Sequence, residues 1–410
     1  MVVRNEADLL AVNLRYRAAS VKSERTTVAE CGTEAVTPGR VAVRMTNSAL
    51  LGLAAFLTLG CSAPPAAPPP ASTATAARPA PEPGNSAAAA YAAVGVTPCT
   101  PLGEIRFVCG LVSAEDLAVL PGSEWVIASG NREGGRLHLV SVRDKTSTVL
   151  FPTATRNERL DAATYPTCPG PLDLMKPDDF RAHGIYLKPG PGGVHTLYVV
   201  HHGTRESIEV FEVDAKAGPP TLTWVGCAPA LSIHGFNAVV AFPEGGFAAT
   251  STRTNDVWQY QTATGWRRIP GTEGTAPNGL EISKDGRWLY VAGWAEEKLT
   301  RVSRGPSPVQ KDVIQLGFRP DNVRMSPDGS VMFAAGHTDK DGHSIKEPRE
   351  PLKETSNVAR IDPKTLKFER IFQHSAMDGF VATTTAIQIG NEMWLGSQRG
   401  ERIAYFPAPR

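Results

Sequence analysis

Six times along this chain a polar residue opens a short apolar stretch that runs into a turn rich in Gly, Pro and Asp. The openers are Glu115, His183, Asn237, Asn278, Asn322 and Thr384, and the apolar stretches cover 116–120, 184–187, 238–242, 279–282, 323–325 and 385–389. Turns follow at Pro121-Gly122, 189–193, 243–246, Asp285-Gly286, 327–329 and Gly390-Asn391. Gly admits positive φ, and Pro fixes φ and lacks a donor, so both punctuate regular structure at these points. A second β-rich stretch comes after each turn, at 125–128, 195–200, 246–250, 288–292, 331–335 and 392–395. Outer strands are predicted at 137–142, 207–213, 298–302, 358–361 and 402–406. Apolar and polar residues alternate most clearly at 137–142 and 207–213, the pattern of antiparallel strands with one face exposed. No stretch longer than about 12 residues carries a clean helical period.

The openers lie 68, 54, 41, 44 and 62 residues apart. Repeats of such uneven length fit β-propeller blades whose loops vary. The pattern therefore predicts an all-β fold: a six-bladed propeller of four-stranded antiparallel blades over 98–410, with residues near 105–108 completing the last blade. A β-sandwich, or two small β-domains, is the competing architecture, but it gives no reason for a polar residue at the same point of every unit. In a radial repeat those residues converge on the axis. The set comprises a carboxylate, three Asn amides and a His, with Asp321 adding a second carboxylate. Hard oxygen donors of this kind suit a high-coordination cation such as calcium, whereas zinc or copper would call for His or Cys. Taken singly, each Asn is equally well explained as a turn or strand-end residue.

Composition narrows the function. The chain has 410 residues, a formal net charge of +1 and 41% hydrophobic residues, enough for one large core. Balanced charge and the absence of a basic cluster interleaved with aromatics argue against a nucleic-acid partner. The first 97 residues stand apart from the core. An apolar run at 49–59 is too short to span a bilayer but has the length of a signal-peptide core. It ends at Leu59-Gly60-Cys61-Ser62, which resembles the lipidation box of bacterial lipoproteins, with Cys61 as the acylated residue. Thr58 stands where Leu is usual, so the match is imperfect; an ordinary cleaved signal or a buried apolar helix are the other readings. Residues 45–61 are thus read as the signal segment, and 1–44, including Cys31, as absent from the mature protein. The Pro/Ala-rich segment 62–97 has too little apolar surface to fold and is expected to be a disordered tether. Together these features predict an exported protein, in the bacterial periplasm or at the cell surface, meeting the membrane only through its lipid anchor. Cys99, Cys109, Cys168 and Cys227 then predict two disulfides, with three pairings open.

Several ordered motifs resemble the paraoxonase/arylesterase branch of the senescence-marker-protein, gluconolactonase and strictosidine-synthase-like propellers. They are Ser113-Ala114-Glu115-Asp116-Leu117 with Ile127-Ala128-Ser129-Gly130, Phe180-Arg181-Ala182-His183-Gly184-Ile185, Tyr198-Val199-Val200-His201-His202, Phe236-Asn237, Pro277-Asn278-Gly279-Leu280-Glu281-Ile282, and Pro320-Asp321-Asn322-Val323. The resemblance implies that Glu115, Asn237, Asn278, Asp321 and Asn322 bind a catalytic calcium at the centre of the propeller. It also implies that His183 and His202 form a dyad activating water, a role open to imidazole near neutral pH. Without that role, His183 is a packing residue beside the metal. His201 and His337 are candidates for the lip of the pocket, and His234 for a loop; Trp125, Trp294 and the loop 338–355 are candidates for shaping it. A second, structural calcium expected of the paraoxonases is in doubt, because Ala238 stands where an acidic ligand is needed and leaves Asp116 alone. The expected activity is calcium-dependent hydrolysis of small-molecule lactones or aryl esters. A gluconolactonase-like sugar-lactone hydrolase and a non-catalytic ligand- or protein-binding propeller are the alternatives. No Gly-x-Ser-x-Gly elbow supports a serine hydrolase.

Overall fold

The computed structural model describes residues 99–175, 179–339 and 354–409. Cys61, the segments 45–61 and 62–97, and the residues preceding them lie outside the described residues, as does most of the candidate loop 338–355. Among the described residues no helix is long and apolar enough to cross a membrane.

The described residues form six sheets, and in five of them chain-adjacent strands pair in order as an antiparallel meander. Blade 1 runs through Ala114–Val119, Trp125–Gly130, Leu137–Ser141 and Thr146–Phe151. Blade 2 runs from Phe180–Lys188 through Val194–Gly203 and Ser207–Asp214 to Thr221–Pro229, with the two-residue strand Asn157–Glu158 added in parallel at its edge. Blades 3, 4 and 5 begin at Phe236–Ala241, Pro277–Ile282 and Arg319–Met325. The last blade is composite. Thr385–Ile389, Glu392–Gly396 and Arg402–Pro407 are completed by Arg106–Cys109, with Phe107 opposite Ala404. Pairing the first strand of the domain with the last closes the ring, joining the two ends of the domain in one blade. This is the closure predicted for residues near 105–108.

The core lies between blades. Ile127 and Leu139 of blade 1 pack with Phe180, Leu197, Phe211 and Trp224 of blade 2, and equivalent clusters fill the other inter-blade spaces. Face-to-face packing covers both sides of the third strands, which corrects the expectation of an exposed face at 137–142 and 207–213. Leu137–Ser141 is buried throughout and Ser207–Asp214 nearly so. Their polar residues point into structure. Glu209 accepts hydrogen bonds from Arg205 Nε (2.8 Å) and Nη2 (2.9 Å), Ser207 Oγ (2.6 Å) and Trp224 Nε1 (2.7 Å). Solvent reaches the fourth strands instead, such as Lys311–Gln315 and Phe368–Ser375. The structure also selects one of the three cysteine pairings, Cys99–Cys109 and Cys168–Cys227.

His138, in the buried third strand of blade 1, makes stability depend on pH. Burial, with Arg136 adding to it, lowers its pKa to about 4. Between pH 6.5 and 4 the unfolded chain therefore binds a proton that the fold refuses, so stability falls as pH falls through that window. The loss attributable to His138 from pH 6.5 to 5 is about 1.5 kcal/mol. Urea midpoints compared at those two pH values should differ less for His138→Gln than for the parent; an unchanged difference would show that His138 is not the titrating group.

Candidate functional site

The polar openers do not precede the strands, as expected from sequence; five of the six sit inside them. In blades 1 to 5 the first strand breaks register between Ala114 and Leu117, Ala182 and Ile185, Phe236 and Val239, Pro277 and Leu280, and Pro320 and Val323. Each break advances the inner strand by three residues against two on its partner, which is a β-bulge. The bulged pairs are Glu115-Asp116, His183-Gly184, Asn237-Ala238, Asn278-Gly279 and Asp321-Asn322. A bulge interrupts the two-residue alternation and re-aims a side chain, here at the same height in five blades. The glycines serve close approach: a Cβ on Gly184 would lie 2.4 Å from Asn237 O, and one on Gly279 would lie 2.2 Å from Asp321 O. Blade 6 has no such break. Its Thr384 donates through Oγ1 to Glu115 O at 2.6 Å, tying the last blade to the first.

The five bulges bring the predicted residues together. Asn322 Nδ2 donates to Glu115 Oε1 at 2.6 Å, and His183 Nε2 lies 3.9 Å from that same oxygen. Asn237 Nδ2 is 3.4 Å from His183 Nε2. Asn278 enters through the strand packed against Asp321 and Asn322. The amide nitrogens of Asn322 and Asn237 thereby face protein partners while oxygens are left over. Glu115 Oε2, Asn237 Oδ1, Asn278 Oδ1 and Asn322 Oδ1 are all buried without a hydrogen-bond partner among the described residues. Unpaired buried oxygens are costly, and those of Glu115, Asn237 and Asn322 belong to residues in contact with one another or with His183. Among the described residues no group of three or more His, Cys, Asp and Glu side chains is arranged to hold a metal ion. The axial set draws instead on amide oxygens, the donor chemistry that fits calcium.

Charge gives the same impression. Burial pushes the Glu115 carboxyl well above the usual carboxylate range, and Asp116 and Asp321 push it further; the Asn322 hydrogen bond and Arg324 only partly offset this. A cation would relieve that arrangement. His183 is held well below the usual imidazole range by burial, and by His202 and Arg181, which disfavours its charged form. Its Nδ1 lies 2.9 Å from His202 Nε2, and His202 Nδ1 lies 2.7 Å from Glu206 Oε2. His183 and His202 are therefore within hydrogen-bonding distance of one another, and Glu206 joins them as a third member that sequence reasoning missed.

Asp116, next to the site, is not alone. Its Oδ2 accepts from Ile185 N at 2.8 Å and from Arg324 Nη2, and Arg324 also donates to Ile185 O (2.9 Å) and Val323 O (2.8 Å). Beneath the calcium candidate residues, the charge of Asp116 is thus matched by a guanidinium, while the ligand position after Asn237 is Ala238. Two of the other histidines fall elsewhere than expected. His201 is fully buried between Arg205 O and Asp179 O and stacks on Phe180, so it is no lip residue. His337 is likewise buried and accepts a hydrogen bond from Trp294 Nε1 at 3.1 Å. His234 is in a loop but packs among Phe236, Trp258 and Trp266. Trp125 lies against the core between blades 1 and 2 rather than at the axis.

No protein-family model and no curated protein sequence matches the chain. Solved structures similar to it include a luciferin-regenerating enzyme, at 10% identity over 77% of this chain and 96% of that one, with a TM-score of 0.47. Streptogramin B lyase is similar at 10% identity over 74% and 97%, with a TM-score of 0.44. A gluconolactonase-like protein is similar at 14% identity over 75% and 93%, with a TM-score of 0.45. Likeness at these levels carries no argument about chemistry, and the six-bladed assignment rests on the strand pairing itself.

Proposed function

We propose that the protein is an exported calcium-dependent hydrolase of lactones or aryl esters. The observation that carries this reading is the set of buried oxygens without a hydrogen-bond partner on Glu115, Asn237, Asn278 and Asn322, with His183 beside Glu115 and Asn237. Glu115, Asn237, Asn278, Asp321 and Asn322 would hold the ion. Bound there, calcium would polarise the carbonyl of an ester and stabilise the oxyanion that develops on attack. The chain's own residues supply the rest. His183 Nε2, at the edge of the ligand set, accepts the proton of an attacking water. His202 receives the Nδ1 proton side of that ring and fixes its orientation. Asn237 Nδ2 lies 3.4 Å from the same His183 Nε2, so the attacking water would take its place on that lone pair, and Asn237 Oδ1 would be available to a bound ion.

The test is hydrolysis of an aliphatic lactone and of phenyl acetate, with calcium and with a chelator, by the parent and by Asn278→Ala. Chelation should abolish activity and calcium should restore it. Asn278→Ala should raise the calcium concentration for half-maximal activity by at least about 10-fold. Hydrolysis that survives both treatments would sink the metal mechanism. A protein that binds calcium but hydrolyses neither substrate class would instead match the non-catalytic propeller.

A further inference from the structure

The hydrogen-bonding capacity of Glu206 defines a role for it that goes beyond closing a chain of polar groups. Its two oxygens are both committed: Oε2 to His202 Nδ1 at 2.7 Å, and Oε1 to Phe236 N at 2.8 Å. A carboxylate only accepts, so the proton in the first contact belongs to His202 Nδ1. A neutral imidazole protonated at Nδ1 has its lone pair on Nε2. With the His202 ring uncharged, that lone pair faces His183 Nδ1 at 2.9 Å, and His183 in turn carries its proton on Nδ1. The one nitrogen left basic is His183 Nε2, which faces Asn237 Nδ2 and Glu115. From the geometry we infer that Glu206 is the positioning residue that sets the tautomer of both histidines and thereby makes His183 Nε2 the proton acceptor of the site. The inference deepens the hydrolase reading and rests on it for its kinetic consequence.

The second contact has its own effect. Phe236 precedes Asn237, so the same carboxylate joins the hairpin bearing His202 to the strand bearing a candidate calcium ligand. That hairpin is held independently. Arg205 forks onto the buried Glu209, His201 bridges Asp179 O and Arg205 O, and Ala230 N donates to Glu206 O at 2.9 Å. Glu206 is therefore aimed by a braced turn, and its side chain, 31% exposed, is the outermost member of the chain of groups.

Glu206→Gln separates this role from simple packing. Gln has the same shape but a single acceptor oxygen, and it cannot accept from both His202 Nδ1 and Phe236 N. If its NH2 turns to His202, the tautomers reverse and His183 Nε2 becomes a donor. If it turns to Phe236, two donors oppose one another and the strand contact is lost. Nitrogen-15 NMR of the imidazoles in the parent protein should find both His183 and His202 protonated at Nδ1; either ring protonated at Nε2 overturns the assignment without any variant. In Glu206→Gln, kcat should fall about 100-fold, with KM and calcium affinity within about twofold of the parent. A Gln variant with full kcat and parental tautomers also overturns it. Were the parent to hydrolyse nothing, the hydrolase reading would fail while the NMR result still decided the tautomer assignment.

Discussion

Replacing Glu115 with Gln is expected to move stability and function in opposite directions. Without calcium the variant should be more stable than the parent, because an amide of the same shape removes a buried charge whose Oε2 has no partner and whose neighbours include Asp116 and Asp321. The Asn322 contact survives, since the Gln carbonyl still accepts from Nδ2. With calcium the order should reverse. A ligand present at 100 times its dissociation constant stabilises a fold by about 2.7 kcal/mol, which for a domain of roughly 300 residues is about 4 °C in melting temperature. The parent should gain that shift and Glu115→Gln should lose it. Hydrolysis should drop by about 10³-fold, the scale of a few kcal/mol of lost carbonyl polarisation. Differential scanning fluorimetry with and without calcium reads the two signs directly. A variant that keeps the full calcium shift would remove Glu115 from the ligand set.

The sequence carried the identity of these axial residues but not the mechanism that gathers them. Polar residues ahead of apolar runs are visible as a repeat, whereas a bulge depends on how many residues the partner strand spends over the same distance. Single-strand patterns lack that count. The alternation at 137–142 and 207–213 misled for a related reason. A polar residue every second position looks the same whether it meets water or, like Glu209, a buried Arg205 and Trp224. Ring closure was legible because residues 105–108 form a β-rich segment ahead of the first repeat with no partner of their own. Glu206 was hidden by its spacing: four residues from His202 suggests neighbouring helix turns, and here the two are joined across a hairpin instead. Arg324 was hidden inside a stretch read as apolar.

That arginine carries the second large prediction. Arg324 reaches Asp116 and Ile185 from blade 5, donates to Leu280 O of blade 4 at 3.4 Å, and lies in the field of Glu281. Burial works against its charge, yet Asp116 and Glu281 outweigh it and hold the guanidinium above its ordinary value. One side chain thus satisfies a carboxylate and carbonyls from several blades where they crowd the axis. Arg324→Met fills much of the volume and strands Asp116, which is fully buried. Breaking a buried pair in this way costs about 3–5 kcal/mol, or about 5–8 °C for a domain of roughly 300 residues. Part of that loss comes from the orphaned charge rather than from the missing contacts, so Asp116→Asn on top of Arg324→Met should recover stability instead of adding damage. The four proteins of this cycle, melted in chelator to keep calcium out of the comparison, should give a coupling of about 1–3 kcal/mol. Additive losses would mean that Arg324 acts through packing alone. A positive coupling would identify the guanidinium as the fixed cation of the axis, leaving Glu115, Asp321 and the three asparagines to an ion that comes and goes.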